Sequence, residues 1–250
     1  MSAEKYFEEA HKVYDRLRST QVANIRKAAG FAADSISRGG LVHLFGSGHS
    51  VIPVLDIFPR YGSFAGFHPL MDSRLMWFQV LGSGGVRELL KLERTEGYIQ
   101  TFLCNFKFDP LDTMVVYSHG GLNAVPIDVA LHARSLGLKV VVVTSLDNAK
   151  SAKATHSTGK KLADCGDVVI DNCCPPQDSL VDIGGIPVAA SSTLAVVAIS
   201  MALVAETARQ LHERGVKFRA FVSPNVSSVG PENNQKVFED YVQRVSPRMR

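Results

Sequence analysis

The chain has 250 residues, 46% apolar and 20% charged, enough to bury the core of one α/β domain with extensions. Its formal charge of +3 comes from scattered basic residues, so no nucleic-acid partner is expected, and the closing Pro247-Arg-Met-Arg250 reads as a frayed end. The polar, acidic N-terminus lacks a signal-peptide pattern, and Cys104, Cys165, Cys173 and Cys174 form no Cys-x-x-Cys pair, so the expectation is a cytoplasmic protein with reduced thiols.

Residues 4–38 keep helical apolar spacing, and Gly39-Gly40 ends them. This predicts an N-terminal helical extension over 1–38, placed to pack against another subunit. A domain over 39–222 and a C-terminal loop and helix over 223–250 follow. Residues 41–45 read as a strand, and 51–58 as a helix with Pro53 in its first turn. The glycine-punctuated stretch 62–85 reads as loop with short elements, and 86–96 as helix. Next come a strand over 113–117, a helix over 125–136 and a strand over 139–144. The last of these is nearly all valine, as expected of a parallel strand buried on both faces. A fourth strand is expected over 167–171 and a long helix over 189–214. That helix contains Ser191, Ser192, Thr193 and Ser200, so it reads as a core helix rather than a membrane span. Residues 217–222 read as a further strand and 235–245 as the last helix. Alternating strands and helices imply a doubly wound α/β fold, with a mostly parallel sheet, helices on both faces and ligands at the carboxyl ends of the strands.

Two glycine turns stand at such ends. Phe45-Gly-Ser-Gly-His-Ser50 offers backbone N–H groups and hydroxyls to an anion. It is not a dinucleotide fingerprint, because Val51 stands where glycine is needed, and it is neither a Walker loop nor a nucleophile elbow. The plainer reading is a glycine turn with a serine N-cap worth about 1 kcal/mol. The second turn, Ser118-His-Gly-Gly-Leu-Asn123, repeats the pattern, and the third strand ends in Thr144-Ser145. Together they make a crevice for an oxygen-rich, anionic small molecule. Its candidate binding residues are Gly46, Ser47, Gly48, His49, Ser50, Ser118, His119, Gly120, Gly121, Asn123, Thr144 and Ser145. Ser192 and Thr193 would add hydroxyls, or pack within the long helix.

In this order the turns, with Ser191-Ser-Thr193 opening a long apolar helix, resemble the sugar isomerase (SIS) domain over roughly residues 30–215. Similarity is greatest to a bacterial SIS subgroup related to phosphoheptose isomerases. It is carried by Leu44-Phe-Gly-Ser-Gly-His-Ser50, Asn123-Ala-Val-Pro-Ile-Asp-Val-Ala-Leu131, His156-Ser-Thr-Gly-Lys-Lys-Leu162, Val168-Val-Ile-Asp-Asn-Cys173 and Ser223-Pro-Asn-Val226. The resemblance implies a flavodoxin-like sheet holding a phosphosugar, and most simply an aldose–ketose isomerase. The alternatives are a phosphosugar sensor without turnover and a lyase or etherase on an amino-sugar phosphate. No DNA-binding segment accompanies the domain. The family's second turn, S-x-S-G-x-T, is altered at Gly120 and Asn123. The glutamate that phosphoheptose isomerases carry late in the helix after the first turn falls near Pro59-Arg60, which leaves Asp56 as the only acid there.

Isomerisation needs a base for a carbon-bound proton and an acid for one on oxygen. Candidates are Asp56, Glu93, Glu96, His49 and His119. His212 joins them because some SIS enzymes borrow a histidine from a neighbouring subunit. Glu88, Glu93 and Glu96 also fit a solvated face beside Arg87, Lys91 and Arg94. Lyase relatives nevertheless use a glutamate from the corresponding middle segment, which keeps Glu93 and Glu96 in view. His43 reads as a core residue, while His68 is placed to reach the site. Lys160 and Lys161 are candidates for phosphate contact, and 223–230 for a lid. No metal site, cofactor or membrane partner is expected; a homo-oligomer, dimer or tetramer, is.

Overall fold

The computed structural model describes residues 2–225 and 229–250. Its first helix, α1 (Ser2–Thr20), buries only Ala10 and Leu17, whereas α2 (Val22–Ser37) buries Ile25, Ile36 and four alanines. The helical stretch expected over 4–38, as one long helix or a pair, is thus a pair. The junction is Gln21, a buried residue whose side-chain carbonyl accepts from the Asp171 N–H at 3.0 Å. Meeting that otherwise unpaired sheet donor fixes where the chain turns.

Five parallel strands form the sheet, in the order β2-β1-β3-β4-β5: β1 (Val42–Gly46), β2 (Phe67–Leu70), β3 (Thr113–Tyr117), β4 (Lys139–Thr144) and β5 (Val168–Asp171). Strand β2 lies inside the stretch expected to be mainly loop. From β1 the chain adds a strand on one side, then returns to add β3 on the other. The switch point thus falls between β1 and β3, where open α/β sheets hold ligands. Both glycine turns leave these two strands.

Alternating side chains feed two cores. Val42, Leu44, Val115, Tyr117, Val141 and Val143 pack with α2, α3 (Val51–Ile57) and α8 (Ser192–Glu213). Phe45, Met114, Val116, Val140 and Val142 pack with α5 (Gln100–Leu103) and α6 (Ala124–Ser135). Short helix α4 (Val86–Leu92) packs on the second core through Leu92, α7 (Leu146–Ser151) buries no residue, and α9 (Glu232–Val245) returns to the first core through Val237. Helix α8 is long and apolar enough to cross a membrane, yet it packs along α2 and buries Ala195, Ile199 and Leu203 there.

Three expectations need correction. Residues 217–222 are not a strand, because only Ala220 makes a bridge, to Phe64, while Asn233 and Asn234 bind the neighbouring backbone groups. The long helix starts at Ser192 rather than 189. Before it, β6 (Val181–Ile183) and β7 (Ile186–Val188) form a hairpin, and Ala189 takes a φ of 65°. The C-terminal end is docked rather than frayed: Arg248 binds buried Asp112, and its carbonyl accepts from the Lys107 N–H at 2.7 Å.

The partner of Asp112 in the core is His43. Its Nε2 lies 3.2 Å from the carboxylate and its Nδ1 lies 3.0 Å from His68 Nδ1. A carboxylate accepts, so His43 carries its proton on Nε2, and His68 donates from Nδ1. His43 is thus a satisfied core residue, as expected. His68 is spent in the same network and does not reach the crevice.

Candidate functional site

The first turn is built by what glycine permits. A Cβ on Gly46 would run into the Ser50 carbonyl, and Gly48 takes a φ of 58°. The chain therefore folds back sharply after β1 and brings Ser47, Gly48, His49 and Ser50 to the sheet edge.

The second turn is held from outside. The His119 carbonyl accepts from Ser145 N at 3.0 Å and from Thr144 Oγ1 at 3.2 Å. The Gly120 carbonyl accepts from Asn148 Nδ2 at 2.6 Å, the Gly121 carbonyl from Leu162 N at 2.9 Å, and the Leu122 carbonyl from Thr155 Oγ1 at 2.6 Å. Each N–H lies opposite the carbonyl of its own peptide plane. With four successive carbonyls turned outward, Gly120 and Asn123 line the crevice and their N–H groups turn toward it. The Gly121 N–H is held by Ser118 Oγ at 3.2 Å. The positive end of α6 begins at the next residue, so the turn is an anion nest at a helix N-terminus.

Gly121 is the pivot. Its φ is 63°, and a Cβ would stand 2.6 Å from Thr144 Oγ1. Gly121→Ala is expected to lose about 1–3 kcal/mol of stability through left-handed strain and displacement of Thr144. Urea denaturation checks this, and a loss under about 0.5 kcal/mol would show that the turn tolerates a side chain.

Two joined cavities meet at His49, Ser50 and His119. One, of about 330 Å³, is lined by Ser47, Ser118, Asn123 and Glu93 on one wall and by Trp77, Val86, Leu89 and Leu90 on the other. The second, of about 270 Å³, adds Asp178, Ser192 and Thr193.

Glu93 is the acid of the first cavity. It is 6% exposed, and Ser47 Oγ donates to its Oε2 at 2.9 Å. Burial raises its pKa, opposed by the Ser47 hydrogen bond and by nearby Arg94 and Asn123. The Val125 N–H bonds the Glu93 carbonyl at 3.0 Å, fixing the end of α4 to the start of α6. Glu96, expected beside it, is exposed and turned away. It accepts from Ser157 N at 2.7 Å and from Ser157 Oγ, which lowers its pKa.

The two turn histidines differ. Asn172 Oδ1 accepts from Cys174 N at 3.1 Å, so Asn172 Nδ2 is the group donating to His119 Nδ1 at 3.0 Å. His119 therefore carries its proton on Nε2 and presents it to the Pro176 carbonyl at 3.3 Å. Both ring nitrogens are occupied. The His49 ring has no hydrogen-bond partner among the described residues. It lies against Trp77, with ring centroids 4.5 Å apart, and lines both cavities.

The other candidates are placed as follows. Thr144 and Ser145 are buried, and their hydroxyls serve the protein itself; Ser145 Oγ donates to the Cys174 carbonyl at 2.9 Å. Ser192 Oγ donates to Asp178 at 2.6 Å, whereas Thr193 lines the second cavity. Asp56 sits at the far end of α3, paired with Arg60 at 2.9 Å. His212 lines a separate concavity with Lys217 and Arg219. Asp72, a further acid in the 62–85 stretch, accepts from the Tyr98 hydroxyl at 2.7 Å. Lys161 is spent on the Ala149 and Ala152 carbonyls. Residues 226–228 of the expected lid, and Val226 of the quoted motif, lie outside the described residues.

Sequence reasoning missed Asp178 and Trp77. Asp178 takes a φ of 53° and collects the N–H and hydroxyl groups of Ser191 and Ser192. Burial would raise its pKa, but these hydrogen bonds outweigh burial and lower it. The start of α8 is thereby neutralised by the protein's own carboxylate, and the nest after β3 is left as the open anion site. Trp77 is the sole tryptophan of the chain, which is the one sequence signal for it.

A family model described as the SIS domain matches residues 5–145. A UPF0309 protein of Listeria monocytogenes serotype 4b is 32% identical over 242 residues, 96% of each chain. A UPF0309 protein of Geobacillus kaustophilus is 34% identical over 243 residues, 96% of this chain and 94% of that one. Among solved structures, a phosphoheptose isomerase from Francisella tularensis matches with a TM-score of 0.50 at 16% identity, over 83% of this chain and 96% of that chain. At that identity the likeness is one of fold.

Proposed function

Because the chain belongs to the SIS-domain family, among its UPF0309 members, we propose that it binds a sugar phosphate and interconverts its aldose and ketose forms. The observation that carries this reading is the set of four outward carbonyls from His119 to Leu122. They leave backbone donors aimed at the crevice before any ligand arrives, as a phosphate site needs. Ser50, Ser118 and Asn123 add side-chain donors.

In this reading Glu93 takes the proton from the carbon beside the sugar carbonyl, forming an enediol, and returns it to the neighbouring carbon. Burial suits it to the task, because a carboxylate with a raised pKa is a stronger base. His49, with free ring nitrogens, moves the proton between the two oxygens. His119 holds the turn. A lyase acting on an amino-sugar phosphate would begin with the same proton abstraction. The apolar wall of Trp77, Leu89 and Leu90 favours that second reading, since it would shelter an apolar substituent.

A thermal-shift panel of hexose, heptose, pentose and N-acetylated amino-sugar phosphates tests the proposal. Hits are then followed by proton NMR in heavy water. An isomerase exchanges the C2 proton and yields the partner sugar; a lyase exchanges it and loses the substituent. Ser118→Ala is expected to weaken the best ligand about 10- to 100-fold. Unchanged affinity in both Ser118→Ala and Ser50→Ala would remove the two turns from ligand binding.

A further inference from the structure

The stretch from Glu93 to Gly97 leaves α4 and carries the reactive carboxylate, yet most of its ties lie outside the crevice. Gly97 N–H donates to Asp128 Oδ2 of α6 at 2.8 Å. The other oxygen, Asp128 Oδ1, faces His156 Nε2 at 3.1 Å. That same Nε2 stands 3.8 Å from Glu96 Oε2, and Ser157 N and Oγ close on the Glu96 carboxylate. The other face of the imidazole settles its tautomer. Thr158 N–H points at His156 Nδ1 at 3.2 Å, so Nδ1 is bare and Nε2 carries the proton toward Asp128. The ring is buried, with its side chain 4% exposed.

We propose that His156 is a positioning residue for Glu93: it ties Asp128 and Glu96 together, which pins the Glu93–Gly97 stretch to α6 and holds the Glu93 carboxyl inside the crevice. The inference rests on Glu93 being the proton carrier. It adds a group that touches no substrate and acts through the placement of one that does. The loop around His156 also supplies Thr155 and Leu162 to the outward carbonyls, so one segment braces both the anion nest and the base. The nest keeps its bonds from Thr144, Ser145 and Asn148 when His156 is changed. The two effects can therefore be separated.

The experiment uses the full chain labelled with [5-13C]glutamate, and follows the Glu93 carboxyl resonance through an acid–base titration, with inorganic phosphate affinity read by 31P NMR. In Asp128→Asn, which conserves volume but removes an acceptor, the Glu93 midpoint is expected to fall by about one pH unit as the carboxyl gains solvent. Phosphate affinity should stay within about twofold, which corresponds to no more than about 0.4 kcal/mol. His156→Leu should match it, and His156→Gln, whose amide can still donate to Asp128, should restore the wild-type midpoint. A wild-type midpoint in folded Asp128→Asn or His156→Leu overturns the proposal, and so does a shift that His156→Gln fails to restore. If the buried variants do not fold, Glu96→Gln at the exposed end of the tie should move the midpoint in the same direction; no movement there also overturns it. None of these readings needs a substrate, so failure of the isomerase assignment would be seen separately, in turnover.

Discussion

Arg248→Ala is expected to remove about 3–5 kcal/mol of folding stability at neutral pH, because it strands a buried carboxylate. Asp112 is 1% exposed, and it accepts from Leu41 N at 2.7 Å and from Asp109 N at 2.9 Å. The Arg248 guanidinium forks onto both of its oxygens, Nη2 at 3.1 Å and Nε at 3.2 Å. Burial pushes the Asp112 pKa up, but the bonds from His43 and Arg248 outweigh it and hold the group at about 2. This depressed pKa contributes stability above the ordinary value of 3.8, lost as pH falls through about 2. His68 gives the network a second, higher window. Burial, and then its neighbour His43, push its pKa from 6.5 to about 3. The folded state keeps His68 neutral while the unfolded chain protonates it. Stability present above pH 6.5 should therefore drain away toward pH 3, by an amount on the order of 4 kcal/mol for the whole shift. Urea titrations at pH 7 and pH 5 read both effects, with exposed Arg250→Ala as the neutral control. A loss below about 1 kcal/mol for Arg248→Ala would mean that His43 and the backbone donors suffice to hold Asp112.

Glu93→Gln should lower turnover of the best sugar phosphate by about 1,000-fold, within the range of a lost general base. Ligand affinity should change by no more than about threefold, or roughly 0.7 kcal/mol, because the phosphate is held by the two turns. The amide fits the same space and still accepts from Ser47, so the variant removes the base without emptying the crevice. Asp56→Asn provides the contrast, since Asp56 pairs with Arg60 and lines neither cavity. Its turnover should stay within about twofold of wild type. Equal losses in the two variants would move the chemistry out of this crevice.

The sheet was legible where a strand is buried on both faces. Residues 113–117 and 139–144 carry continuous apolar runs, and both appear as strands with those bounds. The turns after β1 and β3 were marked by glycine beside serine at a strand end, a pattern that by itself also fits a plain capped turn. Strand β2 was hidden because Phe67-His-Pro-Leu70 is short and holds a proline and a histidine. Its histidine makes sense only beside His43, a partner that no local pattern displays. The break at Gln21 was left open between one helix and a pair for a similar reason: the cause is an N–H on β5, which local spacing does not display. Around the crevice, spacing marked the acids of 86–96 but could not separate Glu93 from Glu96. They are three residues apart, and only packing decides that one faces Ser47 and the other Ser157. Asp178 gave no signal, because its partners at the start of α8 are brought back to it by the β6-β7 hairpin, which the sequence reading did not include.

The order of the strands also sets the order in which the molecule can assemble. The link from β4 back to the second turn spans 25 residues, and that from β4 forward to Asp167 spans 27. Joining the start of β1 to Asp112 closes 71 residues. Loop-closure entropy puts the longer connection at a disadvantage of roughly 1 kcal/mol. Strands β1 and β2 pair over an equally short connection, Val42 with Phe67, so both halves of the sheet can form early and the join between β1 and β3 is the long-range step. The turn after β1 joins late, so ligand affinity is completed only when the last long-range pairing of the sheet closes.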